Sequence, residues 1–168
     1  MRIRRSRGEG VIVPERDFDA FFRAHWRPLL SSLTAMTLDP SSAEEAAAEA
    51  MTRALERWDR VQQMESPRGW LFRVAQNLAR RRARRRRLED ALLRRAHPDP
   101  AQIVTSDPDL WRAVSKLPNR QRHAIALRYL AGLTEVEVGT TLGISTGGAS
   151  SLLSMARTRL REQLDEGA

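Results

Sequence analysis

The sequence predicts an all-α protein made of two small helical domains joined by a flexible linker, and three observations lead to this fold class. Apolar residues recur at steps of three and four in several segments, and no useful stretch alternates as a strand does. Only 5% of the 168 residues are aromatic although 41% are hydrophobic, a composition that suits modest helical cores. Prolines crowd residues 97–108 and interrupt helices there, which divides the chain.

The first segment, residues 1–16, is predicted to be a basic flexible arm because its glycines and proline accompany no apolar periodicity. A first domain over residues 17–96 follows. Its first helix is expected to be capped by Asp17 and to carry apolar residues as far as Leu33. The arm and this helix are therefore expected to meet at Asp17.

Two more helices complete the predicted first domain. The second starts from Ser41 and Ser42, has glutamates in its first turn, and runs through Trp58. A loop over residues 59–66 then leads to Pro67, which suits the first position of a third helix. Trp58 and Trp70 recur in step with aliphatic neighbours, so we interpret both as core residues rather than platforms for stacked bases.

The linker is predicted at residues 97–108 and the second domain at residues 109–165, as short helices only. A short helix, a turn at Gly143 with a buried Ile144, and a last helix from Thr146 to about Leu164 form a helix-turn-helix pattern. An ordinary helical hairpin looks similar, but we favour DNA binding. The core face of the last helix is predicted by spacings of four, three and four: Ala149, Leu153, Ala156 and Leu160.

The net charge of +8 lies entirely in the first half of the chain. Residues 1–87 hold 19 basic and 11 acidic side chains, and residues 88–168 hold 10 of each. Seven of the eight residues from Arg80 to Arg87 are arginine, and their mutual repulsion is relieved when a polyanion binds. A solvated helix end that only aids solubility is the alternative. We favour contact with nucleic acid.

Several classes of function lack support in the sequence. Without cysteine there are no disulfides, thiolate metal sites or cysteine nucleophiles, and the three histidines have no ligand spacing, so we expect no metal site. The sequence has no phosphate-binding glycine loop or catalytic constellation, so we expect neither a cofactor nor enzymatic activity. No segment has the length of a signal-peptide core or a membrane span, so the expected location is the cytoplasm and no membrane partner is expected.

Residues 17–164 resemble the extracytoplasmic-function (ECF) sigma factors of bacteria. Their sequence pattern is most similar to that of the actinobacterial branch. The resemblance rests on several segments that occur in the family's order. In the first domain they are AEEAAAEA over residues 43–50, with Arg53-Ala54, and SPRGWLFRVAQNLA over residues 66–79. In the second domain they are LPNRQR over residues 117–122, LRYLAGLT over residues 127–134 and LGIS over residues 142–145.

This resemblance implies a dissociable promoter-specificity subunit of RNA polymerase. Its first domain, sigma region 2, would dock on the clamp of the largest subunit and open the −10 element on the non-template strand. Its second, sigma region 4, would read the duplex −35 element while resting on the flap of the other large subunit. An anti-sigma factor is left open as a further partner. The linker would thread toward the polymerase cleft, where its acidic residues could imitate a nucleic acid: Asp99, Asp107 and Asp109.

The resemblance also implies four sets of site residues. The polymerase-binding face would comprise Glu45, Ala48, Glu49, Thr52, Arg53 and Glu56. The −10 specificity loop would comprise Asp59, Arg60, Val61, Gln62, Gln63 and Met64. The −10 DNA would be bound by Arg73, Gln76, Asn77, Arg80, Arg81 and Arg84. The −35 DNA would be bound by Arg120, Arg122, Thr146, Gly148, Ser150, Ser151, Ser154 and Arg157.

Three departures from the family's pattern bear on these sets. Ala48 stands where the family usually has glutamine, and Arg81 where it usually has aspartate. The last helix has no arginine before Arg157, although the family commonly has basic residues at the positions of Ser150, Leu152 and Met155. Small hydroxyls supply little attraction for phosphate. We therefore hypothesise that contact with the −35 element is weak and that affinity resides mainly in the first domain.

Two other functions remain open at this point. A free-standing helix-turn-helix regulator would bind duplex DNA without polymerase, but such regulators usually dimerise and the chain offers no heptad seam. An arginine-rich RNA-binding protein would normally display stacking aromatics on a sheet, and this chain has one tyrosine and four phenylalanines. An enzyme is a more distant alternative.

Overall fold

The computed structural model describes residues 14–93 and 107–165, and all regular secondary structure in those ranges is helical. The all-α prediction is thereby confirmed. A π-helical turn over Ala126–Leu130 continues the sixth helix. The helices, in chain order, are α1 Pro14–Thr37, α2 Pro40–Glu56, α3 Trp58–Val61, α4 Pro67–Leu93, α5 Pro108–Lys116, α6 Asn119–Ile125, α7 Glu135–Leu142 and α8 Thr146–Asp165.

Three of the predicted helix boundaries differ from the structure. α1 begins at Pro14, so Asp17 lies inside the helix rather than capping it. α2 begins at Pro40 because Asp39 caps it, with its carboxylate accepting a hydrogen bond from the Ser42 N–H at 3.1 Å. A proline fits the first turn of a helix, where its missing N–H costs nothing. α2 also ends at Glu56, and Trp58 opens the short α3 inside the predicted loop.

The first domain is built around α2, which packs against both α1 and α4. Alanine on the inner face of α2 lets the neighbouring helices come close without a loss of side-chain entropy. Leu29 and Leu33 of α1 and Leu71 of α4 complete this core and are fully buried. Five alanines of α2 have no exposed surface: Ala43, Ala46, Ala47, Ala50 and Ala54.

The helix-turn-helix of the second domain is fixed by its caps. Thr134 and Glu137 form a capping box at the start of α7. Gly143 ends α7 with a φ of 70°, a conformation that glycine adopts without strain. At the start of α8 the Ser145 hydroxyl accepts a hydrogen bond from the Gly148 N–H at 3.1 Å. The predicted capped helices and glycine turn are confirmed, although Ile144 is half-buried rather than buried.

The predicted core face of α8 is also confirmed at three positions: Ala149, Leu153 and Ala156 are fully buried, and Leu160 is partly buried. The preceding segment is less regular than the sequence suggests. Four consecutive residues, 124–127, are buried because this segment lies between α8 on one side and α1 on the other. The π-helical turn, which the sequence pattern did not predict, falls within this double contact.

The two domains contact each other, in what we call the closed arrangement. α1 packs against α6 and the π-helical turn, while α4 packs against α7. Arg68 of α4 forms an ion pair with Glu137 of α7 at 2.7 Å, and the Ser66 hydroxyl donates to the same carboxylate at 3.2 Å. One guanidinium nitrogen of Arg122 in α6 donates to the Met36 carbonyl of α1 at 3.4 Å. Polar contacts therefore join the domains at two separate points.

Residues 1–13 of the predicted arm and 97–106 of the predicted linker lie outside the described residues. The last two linker residues belong to the start of α5, where the Asp107 carboxylate accepts from the Leu110 N–H at 2.9 Å. Neither described range contains a helix with the length and hydropathy of a membrane span. Nor do the side chains of those ranges gather into a group of three or more that could hold a metal ion.

Candidate nucleic-acid and protein interfaces

The arginine run of α4 is divided by its ion pairs. Arg82 pairs with Glu49 at 2.6 Å and with Glu45 at 3.4 Å, and both glutamates belong to α2. Arg86 pairs with Asp39, and Arg85 with Glu89 on the same helix at 2.8 Å. Among the side chains that the structure describes, no carboxylate lies within 4.0 Å of the remaining arginines of the run: Arg80, Arg81, Arg84 and Arg87. The run therefore has a neutralised side and a side with uncompensated positive charge.

The predicted −10 DNA set lies mostly on that uncompensated side. Arg73, Asn77, Arg80, Arg81 and Arg84 are all exposed. Gln76 differs, because only 2% of its surface is exposed and neither of its amide atoms has a hydrogen-bond partner. In the closed arrangement Gln76 therefore lies beneath the surface that the other five residues form.

The predicted −10 specificity loop is partly a helix. Asp59, Arg60 and Gln63 are exposed, while Gln62 and Met64 are half-buried. Val61 is completely buried in the hydrophobic core, so it supports the segment from below and presents no surface. The structure therefore gives Val61 no exposed surface, and its role in the specificity loop stays a prediction.

The predicted polymerase-binding face of α2 is accessible and charged. Glu45, Ala48, Thr52 and Glu56 are exposed, whereas Glu49 and Arg53 are half-buried and lie 2.5 Å apart. The hydrogen bond from Arg82 lowers the pKa of Glu49, with further lowering from Arg53. Two glutamates of this face are thus held by an arginine of α4, an interaction that local sequence patterns do not reveal.

The predicted −35 DNA set surrounds the helix-turn-helix. Thr146, Ser151, Ser154 and Arg157 of α8 and Arg120 of α6 are exposed, and Gly148 and Ser150 are half-buried. Arg157 lies 3.3 Å from the Tyr129 hydroxyl. Before this arginine the exposed surface of α8 carries hydroxyls, glycine and Met155, and no charge. The arginine-poor surface that the sequence predicts is therefore present in the structure.

Arg122 is the exception in this set, because it is buried. Its guanidinium donates to the Leu117 carbonyl at 2.9 Å and to the Asn119 side-chain oxygen at 2.8 Å, besides the Met36 carbonyl. Burial lowers its pKa. In this structure Arg122 joins the domains and is buried, so its contact with −35 DNA stays a prediction for the form in which the domains have separated.

The tryptophan prediction is confirmed for Trp58. Its ring is 7% exposed and meets the Phe18 ring edge-on, with the ring centroids 5.4 Å apart. Trp70 is half-buried against the same core. Trp58 is therefore packed as a core residue and offers no face to a base.

Comparison with protein families and curated proteins gives consistent matches. Residues 21–89 match the model of sigma-70 region 2, and residues 113–162 match the model of sigma-70 region 4. The RNA polymerase sigma-E factor of Streptomyces coelicolor is 29% identical over 152 residues, which cover 88% of this chain and 86% of that protein. The ECF RNA polymerase sigma factor EcfG of Rhodopseudomonas palustris is 31% identical over 124 residues, covering 70% of this chain and 68% of that protein.

Two solved structures share the fold. The sigma factor RpoE of Bartonella quintana, crystallised with the anti-sigma factor NepR, has a TM-score of 0.76 and 22% identity, covering 89% of this chain and 98% of that chain. CnrH, in complex with the cytosolic domain of CnrY, has a TM-score of 0.65 and 21% identity, covering 92% of this chain and 91% of that chain. At these identities the likeness concerns the fold.

Proposed function

Because the chain belongs to the ECF sigma factors, which bind core RNA polymerase and direct promoter recognition and DNA opening, we propose how its two domains divide this work. The first domain binds the polymerase clamp and the −10 element, and the second binds the −35 element and the flap. One observation supports this division. The first domain carries both the uncompensated arginine side of α4, which suits DNA, and the charged face of α2, which suits the polymerase.

Opening of the −10 element is assigned to α4 and to the segment before it. Arg73, Arg80 and Arg84 attract the phosphates of the non-template strand, and Asn77 offers polar edges to a flipped base. Base discrimination is assigned to the segment before α4, where Asp59, Arg60 and Gln63 are exposed. Gln76 joins this set once the second domain moves away from α4.

Run-off transcription with purified core polymerase tests this assignment. Adding the chain is expected to produce new start sites that share upstream sequence, and Asn77→Ala with Arg80→Ala is expected to lower run-off product at least tenfold. Arg159→Ala, which removes an exposed arginine near the end of α8, is the control. Equal loss in both variants would contradict a specific role for α4.

Polymerase binding is assigned to the exposed face of α2. Glu56→Arg reverses a charge at its C-terminal end, where the side chain is exposed and forms no ion pair with another described residue. We expect a loss of affinity for core of at least tenfold in a binding titration. Glu162→Arg reverses an exposed glutamate on α8 and is expected to change that affinity less than twofold. Similar losses in both variants would place the clamp contact elsewhere.

The closed arrangement is not the promoter-bound form. Elements numbered −10 and −35 are about 25 base pairs apart, roughly 85 Å along duplex DNA. The ion pair of Arg68 with Glu137, at 2.7 Å, joins α4 to α7 and keeps the two DNA-binding domains side by side. In this arrangement the domains cannot span that distance. The domains must separate before both elements are read.

We also propose that an anti-sigma factor binds across the closed arrangement. One fold neighbour, RpoE, was crystallised with the anti-sigma factor NepR. The other, CnrH, was solved in complex with the cytosolic domain of CnrY. An apolar groove of about 960 Å³ runs between α1 and the second domain, where Leu110 and Leu130 are partly exposed. Leu110→Glu is expected to relieve inhibition by the cognate factor in run-off transcription without lowering uninhibited transcription.

The chain is proposed to have no catalytic activity of its own, because the polymerase supplies the chemistry of RNA synthesis. It is proposed to act in the cytoplasm, where core polymerase and promoter DNA are found. Core polymerase that makes the same transcripts without the chain would overturn the proposed function.

A further inference from the structure

A cleft of about 510 Å³ lies between the two domains, on the uncompensated side of α4. Arg80, Arg84 and Arg87 line one wall, spaced by four and three residues on a single face of the helix. Arg120, Arg122 and His123 of α6 line the other wall. None of the described residues that line it is acidic, so positive charge converges on one cleft from two domains.

The arginines of this cleft differ in their ion-pair and hydrogen-bond partners. Arg80, Arg84, Arg87 and Arg120 are exposed, and none of them pairs with a carboxylate whose side chain the structure describes. The two Nη atoms of Arg122 already donate to carbonyl oxygens, and only its buried Nε has no hydrogen-bond partner, so Arg122 contributes mainly charge to the cleft. Four free guanidinium groups around one cleft repel each other, and a multivalent anion relieves that repulsion.

A second, independent observation also indicates a ligand. Gln76 lines the same cleft, is 2% exposed, and has no hydrogen-bond partner at either of its amide atoms. Such a buried amide costs stability unless something binds it. When the side chains over the buried amide move aside, a phosphate that enters the cleft can accept from Nε2 of Gln76 as well as from the arginines.

We propose that this cleft binds an oligophosphate, free or as the phosphate chain of a nucleoside triphosphate, and thereby holds the two domains together. Its volume lies within the range of small-ligand sites, roughly 300 to 1,000 Å³. Guanidinium groups suit phosphate because their planar donors bind its oxygens in pairs. A ligand that contacts both walls stabilises the closed arrangement, since the walls belong to different domains.

The ligand also covers residues that the proposed function assigns to −10 DNA, namely Gln76, Arg80 and Arg84. Expected competition with promoter DNA rests on that proposed function. Binding of the oligophosphate to the chain alone does not rest on the proposed function. This binding is therefore measured first, without polymerase or DNA. Failure of one proposal can then be distinguished from failure of the other.

The test is calorimetric titration of the full chain with inorganic tripolyphosphate at about 0.15 M salt, where exposed charges are screened beyond about 8 Å. The double variant Arg84→Gln with Arg120→Gln removes one free arginine from each wall. It is expected to bind at least tenfold more weakly. Arg57→Gln with Arg159→Gln removes two exposed arginines outside the cleft and is expected to change the affinity less than twofold. No binding, or equal weakening in both double variants, would overturn the proposal.

Two further probes separate the sources of the anion. Guanosine triphosphate that binds more tightly than tripolyphosphate identifies a nucleotide ligand, and equal affinity identifies any oligophosphate; both results support the site. A ten-residue deoxythymidine strand that binds with the same dependence on Arg120, while tripolyphosphate does not bind, would overturn it in favour of a channel for single-stranded DNA.

The variant Gln76→Met tests the buried amide by two measurements that are expected to change in opposite directions: the Tm of the ligand-free chain and the affinity for tripolyphosphate. Because the buried amide has no partner, its replacement by an apolar side chain of similar size is expected to raise the Tm of the ligand-free chain by ~2 to 4 °C. The same change is expected to weaken tripolyphosphate binding. A lowered Tm with unchanged affinity would show that Gln76 is only a structural residue and would remove the second observation.

Discussion

At the scale of single residues, the turn of the helix-turn-helix depends on a close backbone approach at Gly139. A Cβ atom at this position would lie 2.9 Å from the carbonyl oxygen of Ile144 and 3.2 Å from that of Ser145. Both are backbone atoms of the turn, so neither can move aside as the end of a flexible side chain can. Gly147 in the first turn of α8, by contrast, has nothing within 4 Å of such a Cβ.

Alanine substitution at these two glycines is expected to have opposite effects. Gly139→Ala should lower the free energy of unfolding by about 1 to 3 kcal/mol, the usual cost of overpacking. Gly147→Ala should raise it by up to ~1 kcal/mol, because alanine favours helix and meets no obstacle there. Urea unfolding of both variants gives the measurement. Equal effects would mean that the turn relaxes around the added methyl group.

His123 reports on the contact between the domains. Burial lowers its pKa to about 4, with the nearby charges of Arg122 and Arg80 acting in the same direction and a backbone hydrogen bond with Met36 opposing them. The histidine is therefore neutral in the folded chain at neutral pH. Below its ordinary pKa of 6.5, the unfolded chain takes up a proton that the folded chain resists.

This difference predicts how stability changes with pH. The contribution of His123 is complete above pH 6.5 and is lost progressively as the pH falls toward 4, with a slope of at most about 1.4 kcal/mol per pH unit. Urea unfolding at pH 7, 6 and 5.5 measures the slope, and His123→Gln is expected to reduce it. His25, whose pKa is also lowered by burial, leaves a residual slope in that variant. An unchanged slope would contradict the role of His123.

At the scale of elements, α8 combines a strong core face with a weak surface for DNA. Ala149, Leu153 and Ala156 fix the helix in its domain, so its orientation does not depend on DNA. Its exposed serines can donate to bases and phosphates, but they carry no charge to release counterions from the duplex. The consequence is a recognition helix that is held firmly and attracts DNA weakly.

Adding one charge to this surface is therefore expected to strengthen binding of the −35 element. Ser151→Arg should steepen the dependence of promoter affinity on salt by about one unit of slope, since it adds about one phosphate contact. Affinity of the holoenzyme for promoter DNA at several salt concentrations is the readout. Ala20→Arg adds the same charge at an exposed position of α1 and serves as the control. An unchanged slope for Ser151→Arg would indicate that α8 does not face DNA.

At the scale of the whole molecule, the ion pair of Arg68 with Glu137 is the polar contact that joins α4 to α7. The Arg68 and Glu137 side chains are 33% and 19% exposed, so the pair is only partly screened by solvent. The same carboxylate accepts from the Thr134 N–H at 2.8 Å and thereby caps α7. Glutamine preserves this capping function but loses the charge.

Glu137→Gln is expected to shift the chain from the closed arrangement toward separated domains without unfolding α7. Small-angle scattering should show a larger radius of gyration, and the apparent affinity for core polymerase should rise because more of the chain is competent to bind. Asp109→Asn removes the exposed pair of Asp109 with Arg112 and is the matched control. Unchanged dimensions in both variants would mean that apolar packing of α1 against α6 and the π-helical turn holds the domains by itself.

The sequence by itself determined the helices, their buried faces and the family. Periodicity and capping are local properties, so the alanine face of α2, the core face of α8 and the turn at Gly143 follow from neighbouring residues. Only the tertiary structure decided which polar groups are free. Contacts such as Arg68 with Glu137 and Arg122 with Met36 join residues 69 and 86 positions apart, and no local pattern encodes them. Val61 is buried in the core of the first domain, whereas Gln76 and Arg122 are buried where the two domains meet. Both kinds of burial depend on packing between distant segments, so the accessible part of each predicted site follows from the tertiary structure.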